Sequence, residues 1–378
     1  MTIGVIVPYW SLYLKYKGFS VTEIGQLMAV LLVTKVVSPN IWAAIADNVA
    51  VKKGSSLGLI KYAAFATLLI YSTTYWVDDF WYMALSMFGF CVFWNACLPQ
   101  IEAATLNYLG GEKDKYGLIR LWGSIGFIVM VLGLGWVMDF AGAGAIMPAG
   151  ALALLLMFGA STFMRDDSRL TTLNDQVVIP ISTLLNSKVL VLLLLCVLMQ
   201  ISHAPFYTFF SIYLEGYGYS KLYIGSLWSI GVLFEVIIFL FGYKLLRKFS
   251  LSTLLSITFA AAAIRWVVVA FFPEQKVAIV VSQTMHAITY GLYHTVMIQL
   301  IDHLFQGRYQ IRGQALYGSI TYGLGGAIGS FASGFVWSMY GSNQLFFAAG
   351  LMMMFVFLCS LIVCPRITKG IMPLGSAQ

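Results

Sequence analysis

Long apolar runs, broken only by short polar loops, leave this chain few ways to fold. Twelve such runs are read, at about 1–14, 22–46, 56–77, 80–106, 116–139, 145–164, 189–214, 222–243, 251–272, 277–301, 313–339 and 344–364. Only 10% of the residues are charged and 60% are hydrophobic, whereas a soluble domain carries roughly 25% charged residues. Water cannot satisfy the backbone inside a bilayer, so spanning segments must be helices or a closed barrel. These runs are continuous rather than alternating, which excludes the barrel. The expectation is an all-α membrane protein with twelve spans, numbered one to twelve below. Only Met1 to Leu14 precede Lys15, where a span needs about 20 residues. The first helix is therefore expected to be truncated, with the natural start upstream.

The net charge of +7 does not point to nucleic acid, because the charges sit in short loops between apolar runs. They act as topology signals. Fourteen Lys and Arg fall in one set of loops, four in the other, and four of the 22 within spans. The richer set (the loops after even-numbered spans, the central linker and the C-terminus) is expected to be cytoplasmic. Both termini then face the cytoplasm, in a bacterial inner membrane. The five cysteines lie inside apolar runs without a CxxC, so neither a disulfide framework nor a metal site is expected.

The chain repeats itself. Residues 13–27 (YLKYKGFSVTEIGQL) match residues 213–227 (YLEGYGYSKLYIGSL) at seven of fifteen positions, where chance gives about one. LWGSI at 121–125 is echoed by LYGSI at 316–320. Two parallel six-helix halves follow. The expected division is 1–164 for the first bundle, 165–188 for a cytoplasmic linker, 189–364 for the second bundle and 365–378 for a cytoplasmic tail.

Ionisable side chains at mid-bilayer cost about 2.5–3.5 kcal/mol on insertion scales, so each is a candidate for function. On span four, Asn95, Pro99 and Glu102 share a helical face. Arg120, one turn into span five, is the obvious partner for Glu102; an Arg snorkelling to the interface is the alternative. Lys35 on span two and Glu235 on span eight occupy equivalent positions with opposite sign. Lys35 is read as a structural intramembrane charge. Arg265, deep in span nine, needs a carboxylate or an anionic substrate, and Glu235 is its nearest candidate. Trp266 beside it is open to being no more than a membrane-facing ring. Span ten carries Gln283, His286, Tyr290 and His294 on one narrow stripe, which should face a wet cavity. In span seven His203 and Tyr207 share a face, with Phe206 and Phe210 alongside. That wall would suit an apolar or aromatic substrate, although packing alone would also explain it.

At these residues the chain resembles a known family. N-A-x-x-P-x-x-E-A at Asn95–Ala103, with Arg120 eighteen residues past Glu102, is similar to the lactose permease branch of the major facilitator superfamily. Nearer still is the phenylpropionate permease family. The similar segments are QxSHAxxY ending at Tyr207, LWSxGVxxEVIIF around Glu235, Arg265–Trp266, HxxTxxxxH from His286 to His294, and RGQALYGS from Arg312. The resemblance implies the twelve-helix major facilitator fold. It implies substrate binding by Glu102 and Arg120, and a proton-coupling network of Glu235, Arg265 and His286. One departure is plain: the permease has an essential Glu three residues after that His, where this chain has Thr289. Glu235 is therefore the preferred proton carrier. After span two, Asp47, Lys52 and Lys53 resemble a cytoplasmic superfamily motif in which Ala43 replaces the usual Gly.

The expected function is proton-driven symport of a small organic solute by alternating access, for instance an aromatic carboxylate such as 3-phenylpropionate. The expected substrate contacts are Asn95, Glu102, Arg120, His203, Tyr207, Gln283 and His294. A sugar or nucleoside symporter and a drug efflux antiporter are the alternatives within the class. A membrane-embedded sensor or enzyme is the alternative outside it, but HExxH, GxSxG and P-loop patterns do not occur. The partners expected are the solute, protons and the lipid bilayer, with no nucleic acid, no cofactor beyond the proton gradient, and a monomeric chain.

Overall fold

The computed structural model describes residues 1–53, 57–109, 116–164, 186–306 and 309–369, and among them it contains only helices. Spans one to nine are Thr2–Tyr16, Val21–Lys53, Leu57–Thr73, Phe80–Leu109, Tyr116–Ala141, Ile146–Thr162, Ser187–Gly216, Lys221–Lys248 and Leu251–Phe271. Span ten runs from Lys276 to Leu304 and span eleven from Gln310 to Tyr340. Each passes through a π-helical stretch, Ala287–Leu292 and Ser319–Gly325. Span twelve is Ser342–Ile367. Eight helices are long and apolar enough to cross a bilayer. The other four spans miss that measure because spans one and three are short and the π stretches divide ten and eleven. The linker expected at 165–188 lies outside the described residues except for its last residues, and Ser187 and Lys188 already belong to span seven. The helix of span twelve continues past the expected tail boundary to Ile367.

Sequence explains where the helices start and stop. Ser20 and Glu23 form a reciprocal capping box at span two, with Ser20 N–H donating to Glu23 Oε2 at 2.8 Å and Glu23 N–H to Ser20 Oγ at 3.3 Å. Asn186, Ser220 and Ser250 cap spans seven, eight and nine through their side-chain oxygens. Spans one and seven end alike. Gly18 and Gly218 take φ of +90° and +79°, and the next amide reaches back five residues, Phe19 to Leu14 O and Tyr219 to Leu214 O. Only glycine adopts that turn without strain.

The two halves meet along one seam used twice. Span two packs on span eleven, and span five on span eight. At the first seam a Cβ on Gly25 would lie 2.7 Å from Ser330 O and 2.8 Å from Gly334 Cα. At the second a Cβ on Gly225 would lie 2.8 Å from Val131 O, and one on Gly135 2.7 Å from Lys221 O. Small residues let the backbones touch. Asp139 of span five then caps span eight across the seam, accepting from Lys221 N at 2.7 Å and Leu222 N at 3.1 Å. Tyr9 of span one donates to Val131 O at 2.9 Å beneath the same crossing. All these contacts lie toward the end of the molecule that is poor in Lys and Arg. Toward the basic end span five opens: Arg120 has a 71% exposed side chain, and a Cβ on Gly117 or Gly123 would meet nothing within 4 Å beyond its own helix.

Candidate functional site

Arg265 is completely buried in span nine, and its surroundings are almost all neutral. It donates to His286 Nδ1 at 3.0 Å, to Thr289 Oγ1 at 2.9 Å and, more weakly, to Gln283 Oε1 at 3.4 Å. Its guanidinium lies 4.6 Å from the centroid of Phe206 and 4.4 Å from that of Trp266. Hydrogen bonds from a charged donor contribute about 1.5–3 kcal/mol each, and a desolvated cation over a ring about 2 kcal/mol. Together they offset the cost of holding the charge away from water. Trp266 is fully buried beside it, so it packs the interior rather than facing lipid.

The contact expected between Arg265 and Glu235 is indirect. His286 stands between them, with Nε2 3.6 Å from Glu235 Oε2. Arginine has no acceptor, so His286 Nδ1 must accept, and its proton sits on Nε2, aimed at the carboxylate. At 3.6 Å this is an electrostatic contact, one small shift from a hydrogen bond. Thr289 supplies a neutral acceptor to the arginine. The span-ten stripe continues as a ladder. His286 and Tyr290 stack at 5.2 Å and 7°, then Tyr290 and His294 at 6.0 Å and 5°. His294 Nδ1 meets the hydroxyls of Tyr322 at 3.0 Å and Tyr317 at 3.3 Å.

In the other half Arg120 lies 4.0 Å from Glu102, at the limit of an ion pair, with side chains 71% and 37% exposed. Glu235, in the second half, keeps 18% of its side chain exposed. The remaining expected residues lie elsewhere. Asn95 donates to Thr34 Oγ1 at 2.8 Å and so ties span four to span two. His203 bonds Met199 O through Nδ1 and packs edge-on against Trp266, within the protein. Tyr207 is half-buried, with its ring 6.4 Å from that of His286. Gln283 is turned to Arg265 rather than to a cavity. Lys35 is half-buried and close to Cys91, with no hydrogen bond or carboxylate among the described residues. Asp47, Lys52 and Lys53 have side chains outside the described residues. Sequence reasoning did not single out Tyr317 or Tyr322, whose only signal was tyrosine on a glycine-rich span, nor Phe206 as the face beneath Arg265.

Twelve spans in two parallel halves, packed together along two seams, define a secondary transporter of the major facilitator type. The chain belongs to the MFS_1 like family, whose model matches residues 1–348. It is 29% identical over 343 residues to a probable 3-phenylpropionic acid transporter of Escherichia coli (strain K12), covering 89% of this chain and 88% of that protein. It is 26% identical over 364 residues to a maltose permease of Geobacillus stearothermophilus, covering 91% and 87%. Among solved structures it superposes on a mutant form of the nucleoside transporter NupG with a TM-score of 0.85 at 15% identity, over 96% of each chain. On tetrameric PepTSo2 the TM-score is 0.69 at 13% identity, over 97% and 95%. The protein is a multi-pass membrane transporter of a small molecule, not an enzyme.

Proposed function

We propose that this transporter imports a small organic anion, of which an aromatic carboxylate is the favoured class, together with protons. The observation that carries the reading is the series Arg265–His286–Glu235, which joins a buried cation to a carboxylate through one orientable imidazole. Substrate or proton arriving at Glu235 changes what His286 can accept, and so changes the hold on Arg265. Charge balance favours an anion. Of the intramembrane charges singled out in the sequence, Arg265, Arg120 and Lys35 stand against Glu102 and Glu235, and a carboxylate would offset the excess. The relative that transports 3-phenylpropionic acid agrees with this; the maltose permease keeps a neutral sugar as the second reading.

Alternating access about the central cleft follows from the doubled seam. With the basic end taken as cytoplasmic, the described state is closed outward and open inward. No cofactor is needed, because the proton gradient drives the cycle. The test is uptake into proteoliposomes of radiolabelled 3-phenylpropionate and maltose, with the pH gradient and the membrane potential imposed separately. A monoanion carried with one proton moves no net charge. Its accumulation should follow the pH gradient, about tenfold per unit, and ignore the potential. A sugar carried with a proton responds to both, and accumulation of maltose alone would overturn the anion reading.

A further inference from the structure

On the outer face of the second half, away from the cleft, spans nine and twelve leave a groove of about 490 Å³. Ile257, Ile264 and Leu361 wall it, and Ser252 and Thr253 stand at its basic end. The three aliphatic side chains are 43%, 53% and 53% exposed. That volume lies within the range of sites that hold organic ligands. The groove faces the bilayer, so a lipid chain is the occupant its walls suit.

Basic residues flank the groove's lining along the chain at this end. Span eight ends in Arg247 and Lys248, four residues before Ser252, and span twelve ends in Arg366, beside Pro365 of the groove wall. None of the three has a carboxylate partner among the described residues. Arg247 lies 5.5 Å from the ring of Tyr243 and Lys248 5.5 Å from that of Phe249, as side chains do at a membrane interface. Basic residues at the interfacial end of an interhelical pocket recognise anionic head groups.

We propose that this groove binds an anionic phospholipid, its acyl chain between spans nine and twelve and its phosphate at Lys248 and Arg366. The floor gives the site a consequence. Met285 lines the groove and is followed at once by His286, where span ten turns toward its π stretch. A chain seated against Met285 braces the turn that holds the imidazole between Arg265 and Glu235. This inference does not depend on which solute is carried.

Native mass spectrometry of the purified full chain, offered phosphatidylglycerol or phosphatidylcholine, tests the proposal. Phosphatidylglycerol should be retained in preference. Lys248→Gln with Arg366→Gln should weaken its retention roughly thirtyfold. Ala260→Trp, which fills the groove and leaves the charges, should also abolish the preference. Lys61→Gln, a charge removed from the other half, should leave it unchanged. Thermal unfolding of each variant confirms that it is folded. Equal retention of the two lipids by the unaltered protein overturns the site. So does a phosphatidylglycerol preference that survives both groove variants or falls equally with Lys61→Gln.

Discussion

Lys15 and Glu215 stand 200 residues apart in sequence, at equivalent positions of the two halves, and their side chains meet at 2.9 Å. Lys221 reaches the other oxygen of the same carboxylate, also at 2.9 Å. A repeat that places a base in one copy and an acid in the other makes a latch across its own pseudo-two-fold axis. The latch is partly exposed, so each pair contributes only about 0.2–1 kcal/mol. That is too little to hold a fold, but enough to bias a near-balanced equilibrium. Glu215→Gln should shift the population toward the state open at this end by roughly two- to tenfold. Cysteine accessibility at Ile24, beneath the latch, should rise accordingly, with no loss of helicity.

The glycine seams beneath carry more weight. Gly25→Ala places a Cβ 2.7 Å from a backbone carbonyl that cannot swing aside. Overpacking of this kind costs about 1–3 kcal/mol, all of it in the closed state. Gly225→Ala faces Val131 O in the same way at the other seam. Both variants should fold and favour opening at the Lys-poor end. Their similar effect, read by spin-label distances between spans two and eleven and between five and eight, tests the symmetry. A change at one seam only would show that the halves do not move as equivalents.

Arg120 and Glu102 stand 4.0 Å apart, with 71% and 37% of their side chains exposed, so a solute can reach both. Glu102→Gln should raise the KM for transport about tenfold or more, with protein abundance unchanged, because the carboxylate is not needed for packing. Arg120→Lys should be nearly as damaging, since an ammonium cannot give the planar two-pronged contact of a guanidinium. Equilibrium exchange at saturating and at low solute separates binding from translocation.

Much of this was legible in the sequence. The apolar runs mark all twelve spans, although the helices of spans two and eight run on past them to Lys53 and Lys248, and the offset of 200 marks the halves. The intramembrane charges stand out because each is costly. Distances across helices were not legible. Periodicity placed Glu235 and Arg265 on neighbouring spans but could not show His286 reaching between them, since that depends on how span ten packs against spans eight and nine. His203 and Gln283 share faces with cavity candidates yet turn inward, because each finds a nearer partner in Met199 O and Arg265. Asp139 was not singled out in the sequence. Its role as a cap on span eight appears only when the halves are docked.

The final expectation concerns coupling. Arg265 holds His286 Nδ1 as an acceptor, which keeps the proton on Nε2 and directs it to Glu235. Glu235→Gln fixes a neutral side chain of the same shape there. Solute can still bind and the halves can still rock, but no proton is carried. This variant should keep solute exchange between the two sides at equal concentration and lose accumulation driven by the pH gradient, about tenfold per unit. His286→Asn should also lose accumulation, because an amide can accept from Arg265 but cannot relay a proton. Thr289→Val removes only one acceptor from Arg265. It should keep coupling and lower thermal stability by about 1.5–3 kcal/mol, the contribution of a hydrogen bond to a buried charge. Paired measurements of counterflow and pH-driven uptake on the three variants check this order. If Glu235→Gln still concentrates solute against its gradient, the proton travels elsewhere, and Glu102 is the next residue to neutralise.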